Sequence, residues 1–241
     1  MNLSIRKINA IFKLKTQSIF TNMSIMVAPL MAIGYVLIMK LVMPDTGFTG
    51  AYLLGFGVLF NVILGGIMMG SYPLSEEKEK NTLRVLMTSS VNGMEFLIGS
   101  LLPSIILIVV VNIILVPISS ISISKISWGP YLLFTTLGGL ISLLLGYVIG
   151  IYSKSQMQSS NISMPFIVLL TFTPVFQAAN KSLAHIMSYT YSGVITEFIS
   201  KMLTSGIYNF DVKNIVVMVS WFIICLVVFV YAYSKHGLDY E

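Results

Sequence analysis

The stretch Phe96–Ile118, F-L-I-G-S-L-L-P-S-I-I-L-I-V-V-V-N-I-I-L-V-P-I, contains no charged residue. A helix needs only about 20 apolar residues to cross the hydrocarbon core of a bilayer, and a segment that is apolar all round offers water no face. This stretch reads as a membrane span. Five more apolar segments flank it, at about 20–43, 51–74, 130–152, 162–179 and 214–234. The fifth in chain order, 162–179, holds Pro165 and Pro174 and runs into Gln177 and Asn180, so it is expected to be bent or only partly spanning.

Composition agrees with the segment pattern. The chain has 241 residues, 56% of them hydrophobic and 10% charged, with a mean hydropathy of +0.90. An ordinary soluble domain carries about 25% charged residues. Six spans with short connections leave no room for a soluble domain of normal size. The predicted fold class is therefore an all-α integral membrane protein with six transmembrane helices, a single domain over 1–241.

Residues 1–19 are different. Arg6, Lys7, Lys13 and Lys15 alternate with Ile5, Ile8, Phe12 and Ile19 at near-helical spacing, which predicts an amphipathic interfacial helix. No small-x-small cleavage site precedes polar sequence, and the apolar run that follows is too long for a signal peptide. Basic residues are retained on the cytoplasmic side of a membrane. With the N-terminus inside, that side collects nine Lys and Arg against five outside, so both termini are predicted to be cytoplasmic. Two longer connections remain: 75–95 inside, and 180–213, expected to be an external helical segment.

Several function classes are disfavoured. The net charge of +5 arises from cations set between apolar runs, not gathered on a solvated face, so no nucleic-acid partner is expected. Cys225 is the only cysteine, which leaves no internal disulfide and no cysteine metal cluster. His185 and His236 fall on opposite sides of the predicted membrane without metal-ligand spacing, and no phosphate loop of the form G-x-x-x-x-G-K-[ST] occurs. No catalytic residue, no metal site and no cofactor is expected in this chain. The interiors of the spans also hold no Asp, Glu, Lys, Arg or His at bilayer depth, groups that ion-coupled transporters keep near the midplane because the coupling ion binds there. If the chain moves a substrate, its driving force enters from elsewhere.

The stretch Ser75–Pro103 offers a route for that force: S-E-E-K-E-K-N-T-L-R-V-L-M-T-S-S-V-N-G-M-E-F-L-I-G-S-L-L-P. Five charges follow a proline-containing helix end. Leu83, Leu86 and Met87 then fall at i, i+3 and i+4, one narrow apolar stripe on a short helix. A solvated charge run has no need of such a stripe, whereas a docking helix enters a partner's groove with it.

The stretch resembles the segment between the second and third spans of permeases of the type-2 ATP-binding-cassette exporter family, which reads E-[RK]-E-x-G-T-L-x-x-L, then S-P-V, then E-x-x-x-G-K-x-x-P. The matching residues are Glu77, Lys78, Glu79, Thr82, Leu83 and Leu86, then Ser90, Val91, Glu95, Gly99 and Pro103. Asn81 replaces the glycine, no proline follows Ser90, and Ser100 replaces the lysine. Pro174, Tyr189, Tyr191 and Glu197 occupy places comparable to a second family pattern after the fifth span.

The resemblance implies that cytoplasmic ABC ATPase subunits couple through Glu77, Glu79, Thr82, Leu83, Leu86 and Met87, with ATP and magnesium held by the ATPase. It also implies that a second permease subunit, identical or related, pairs with this one. In that family the second and fifth spans line the subunit interface, which makes Asn61, Thr171, Thr173 and Gln177 candidate lining groups for the translocation path. Such a lining suits hydrophobic or amphipathic substrates such as antimicrobial peptides, drugs or lipids. Gly66/Gly70 and Gly146/Gly150 are each four apart, a spacing that lets helix backbones approach closely. The frequent Ile, Lys, Asn, Ser and Met resemble an AT-rich bacterial usage, so the membrane is expected to be a bacterial plasma membrane. Two other readings stand beside this one: a secondary transporter or channel acting alone, and a structural subunit of a membrane complex.

Overall fold

Asn22 sets the first corner of the chain. Its backbone N–H closes helix α1 (Ile5–Thr21) on Ser18, and its side-chain Oδ1 accepts the Ser24 amide at 3.0 Å to start α2 (Met23–Val42). An asparagine serves both ends because its side chain replaces the hydrogen bond that a first turn cannot make for itself. The structure, a computed structural model, describes residues 4–42, 50–80, 93–205 and 211–236. Among them there are helices and no strands.

The second span is a rod in three parts: α3 (Gly50–Leu59), a π-helical segment at Phe60–Gly65, and α4 (Gly66–Glu79). Then follow α5 (Gly93–Ile118), a short 3₁₀ turn at Ile123–Lys125, and α6 (Trp128–Tyr152). Next come α7 (Gln156–Thr171), α8 (Thr173–Ala179), α9 (Lys181–Met187), α10 (Tyr191–Ser205) and α11 (Val212–His236). Among the described residues, five helical rods are long and apolar enough to cross a membrane: α2, Gly50–Glu79, α5, α6 and α11. The sixth apolar segment is the pair α7 and α8, bent by 48°.

The bend has a local cause. Pro174 has no amide hydrogen for the Leu170 carbonyl, and the Thr173 hydroxyl donates to that carbonyl instead, at 2.7 Å. A helix broken in lipid survives when a nearby side chain satisfies the freed backbone group, and here the neighbouring residue does so.

The segment between the fifth and sixth apolar elements is helical but not free-standing. Tyr191 Oη and Ser142 Oγ are 2.9 Å apart, Ile195 covers Gly138, and the rings of Phe198 and Phe134 stack at 5.0 Å. The contacts on α6 therefore step from 142 to 138 to 134 as α10 advances, so α10 runs antiparallel to α6 from its middle toward its start. Tyr191, Val194, Ile195, Phe198 and Met202 are fully buried there. The hairpin α9–α10 folds back into the bundle, and Gly193 permits its tight tip, where any side chain would strike the Met187 carbonyl.

Core packing centres on α4 against α6. A Cβ on Gly70 would stand 2.5 Å from the Leu143 carbonyl oxygen, and one on Gly66 the same distance from Ser142 Cβ. Gly146 abuts the Ile67 carbonyl and Gly150 the Ser71 carbonyl. Two backbones meet face to face at these glycines, which is how helices gain dispersion contact where lipid supplies no hydrophobic drive.

Candidate coupling site

At the end of the second span four consecutive residues, Glu76 to Glu79, reach three other helices and the corner between α1 and α2. Successive helical side chains point about 100° apart, so four in a row sweep the whole circumference. Glu76 Oε2 accepts the Asn22 side-chain amide at 2.6 Å, at the corner between α1 and α2. Glu77 Oε1 takes the Lys15 ammonium of α1 at 2.5 Å. Lys78 Nζ donates to the carbonyls of Gly150, at 3.2 Å, and Ile151. Glu79 Oε2 accepts the Gln156 amide, the first of α7, at 3.0 Å.

Each contact suits the group it meets. The last carbonyls of α6 run out of intrahelical partners, and the Lys78 cation serves two of them, sharing that of Gly150 with the Ser153 amide. The first amides of α7 are equally unfilled, and the Glu79 carboxylate answers one, beside the cap that Ser155 Oγ gives to Gln158. One adjacent pair of opposite charges thus fixes both ends of the turn between α6 and α7.

Lys15 is the unexpected member. It lies between Ile11 and Ile19 on the docked face of α1, with its side chain 5% exposed and its ammonium 4.9 Å above the Phe96 ring. Across the connection, Glu95 at the start of α5 accepts the Ser4 amide at 2.7 Å and faces Lys7 at 3.9 Å. Sequence reasoning left out Lys15 and Asn22. The available signal was a cation at i+4 from one isoleucine and i−4 from another, a position where an amphipathic helix carries apolar residues.

Of the residues read as coupling groups, Glu77 and Glu79 are placed by these contacts. Thr82, Leu83, Leu86 and Met87 lie outside the described residues, as does Asn81.

Residues 5–232 match the family described as ABC-2 family transporter protein. The chain belongs to the ABC-2 transporter family. No curated protein matches it significantly. An ABC-2 permease is the transmembrane subunit of an ABC transporter and is not itself the catalyst; the family implies association with an ABC ATPase. The chain is accordingly a multi-pass membrane protein.

In this ABC-2 permease the four residues read as path lining fall in three places. Asn61, in the π-helical segment, is fully buried against α5: its amide donates to the Ile108 carbonyl and to Asn112 Oδ1, both at 2.9 Å. Thr171 and Thr173 are buried at the bend of the fifth apolar element, where Thr173 Oγ1 also meets Ser192 Oγ at 2.7 Å. Gln177 is partly exposed on α8. The bend, the tip of the α9–α10 hairpin and the middle of α6 are thus joined by hydroxyls: Thr173 to Ser192, and Tyr191 to Ser142. Across the α4–α6 seam Gly70 faces Gly146, while Gly66 meets Ser142 and Gly150 meets Ser71 and Leu74.

Proposed function

We propose that this ABC-2 permease is the membrane half of an ATP-driven exporter and that its cytosolic ATPase docks on the segment from Glu77 to Met87. The arrangement of Glu76 to Glu79 carries this reading. A segment meant to receive force has to be tied to the elements it moves, and this one begins at a junction of α1, α4, α6 and α7. The end of the bundle bearing α1 then faces the cytosol, as the basic-residue count indicates, and the host membrane is a bacterial plasma membrane. Two permease subunits pair, and an ATPase subunit engages each one.

The proposed cargo is hydrophobic or amphipathic: a peptide, a drug or a lipid. In support, the hollow lined by Met31, Gly34, Tyr35, Ile38, Met39 and Phe60 is apolar. The one on α7 and α8 is also apolar apart from Asn161.

The test is Leu83→Glu. A carboxylate in the apolar stripe leaves membrane insertion intact and abolishes co-purification of the ATPase. Retention of a full complement of ATPase by this variant would remove the docking assignment. Cargo accumulation against a gradient by vesicles carrying this chain alone would favour a self-sufficient transporter instead.

A further inference from the structure

Helix α1 and the residues that cap it contact the chain both before and after the docking segment. Before the segment, Lys15 pairs with Glu77 and Asn22 with Glu76; after it, the Ser4 amide and Lys7 meet Glu95. Between these anchors α1 lies close on α5, because a Cβ on Gly99 would stand 2.8 Å from Ile11 Cβ. The helix is a yoke that joins Glu76 and Glu77 to Glu95.

Its opposite face is uncovered. Arg6, Lys13 and Gln17 are exposed and share one side by helical periodicity, across the axis from Ile11, Lys15 and Ile19. Between the docked and basic sides run Ile5, Phe12 and Phe20, with Ile5 82% and Phe20 61% exposed. A basic side bordered by an apolar flank, with a membrane span starting just beyond at Met23, suits a helix lying in a bilayer surface. In that setting the flank enters the acyl boundary and the cations lie among the headgroups.

We propose that the Arg6–Lys13 side of α1 binds acidic phospholipid headgroups, and that the yoke transmits the seating of α1 on the leaflet to the docking segment. The second half rests on the proposed coupling function; the first does not. Charge complementarity selects the occupant, since the exposed side presents cations and no carboxylate.

The test uses the full chain with Cys225→Ala and Asn9→Cys, bearing a bimane label at exposed position 9. In phosphatidylcholine vesicles without ATPase, brominated phosphatidylglycerol quenches the label roughly twofold more strongly than brominated phosphatidylcholine. Arg6→Gln with Lys13→Gln erases the preference. In the reconstituted complex with its ATPase, hydrolysis varies with phosphatidylglycerol content, and the double variant loses that dependence.

Equal quenching by the two lipids in the parent chain overturns the headgroup assignment. A quenching preference with hydrolysis indifferent to phosphatidylglycerol overturns the yoke. Protection of the label by added ATPase from both lipids gives the face to the ATPase and overturns the proposal. Failure of the ATPase to associate at all defeats the coupling function, while the quenching result still stands by itself.

Discussion

Lys15 and Glu77 meet at 2.5 Å across 62 residues of sequence, with side chains 5% and 12% exposed. Their burial makes the pair sensitive to the loss of either member, because the survivor keeps a desolvated charge without its counter-ion. Lys15→Met or Glu77→Gln is expected to destabilise the chain by about 3 kcal/mol. The exchange Lys15→Glu with Glu77→Lys recovers part of that loss. Thermal unfolding in detergent, followed by circular dichroism, checks both outcomes.

The seam between α4 and α6 predicts a sharp contrast between glycines. Gly70→Ala places a methyl group 2.5 Å from the Leu143 carbonyl oxygen, where neither backbone can yield without separating the helices. At Gly34 an added Cβ meets nothing within 4 Å. Gly70→Ala is therefore expected to cost about 2 kcal/mol or more through overpacking, and Gly34→Ala to be neutral. The fraction eluting as a monodisperse peak in size-exclusion chromatography distinguishes them.

Asn61 and Asn112 form a buried amide pair at 2.9 Å, so the two should behave as a unit. Asn61→Leu leaves Asn112 without this partner at a site that water does not reach, at an expected cost of about 1–3 kcal/mol. Leu at both positions removes the unpaired group and should be less damaging than the sum of the single changes. A double-mutant cycle on unfolding free energy measures the difference.

Thr173 carries two hydrogen bonds that valine cannot make, one to the Leu170 carbonyl and one with Ser192. Thr173→Val is expected to cost about 1–2 kcal/mol, and Thr173→Ser to retain most of the stability. Faster proteolysis near the bend in the valine variant alone would confirm that the hydroxyl replaces the hydrogen bond missing at Pro174.

Which features were legible in sequence follows from the range of the forces involved. Apolar runs announce themselves because each residue is selected independently for lipid, so α2, α5, α6 and α11 follow the segments read at 20–43, 96–118, 130–152 and 214–234 to within a few residues. Pro165 and Pro174 likewise signalled a bent fifth segment, and the bend lies at the second of them. The burial of α10 was not legible: Tyr191, Ile195 and Phe198 are spaced along a segment that also carries Glu197 and Lys201, and only pairing with Ser142, Gly138 and Phe134 shows which side faces inward. Within the candidate coupling site, Glu77 and Glu79 are singled out by a motif. Their partners Lys15 and Gln156 are 62 and 77 residues away, and no local pattern encodes such pairings.

The π-helical turn at Phe60–Gly65 has one more consequence. A wide turn of this kind accommodates about one residue more than an α-helix covering the same height. The rod from Gly50 to Glu79 thus holds a spare residue at its centre. A chain shortened by one inside that turn could relax to an ordinary helix with Tyr52 and Gly70 still facing their present neighbours. Shortened by one elsewhere in the rod, its two halves would swivel about 100° against each other and lose one seam or the other.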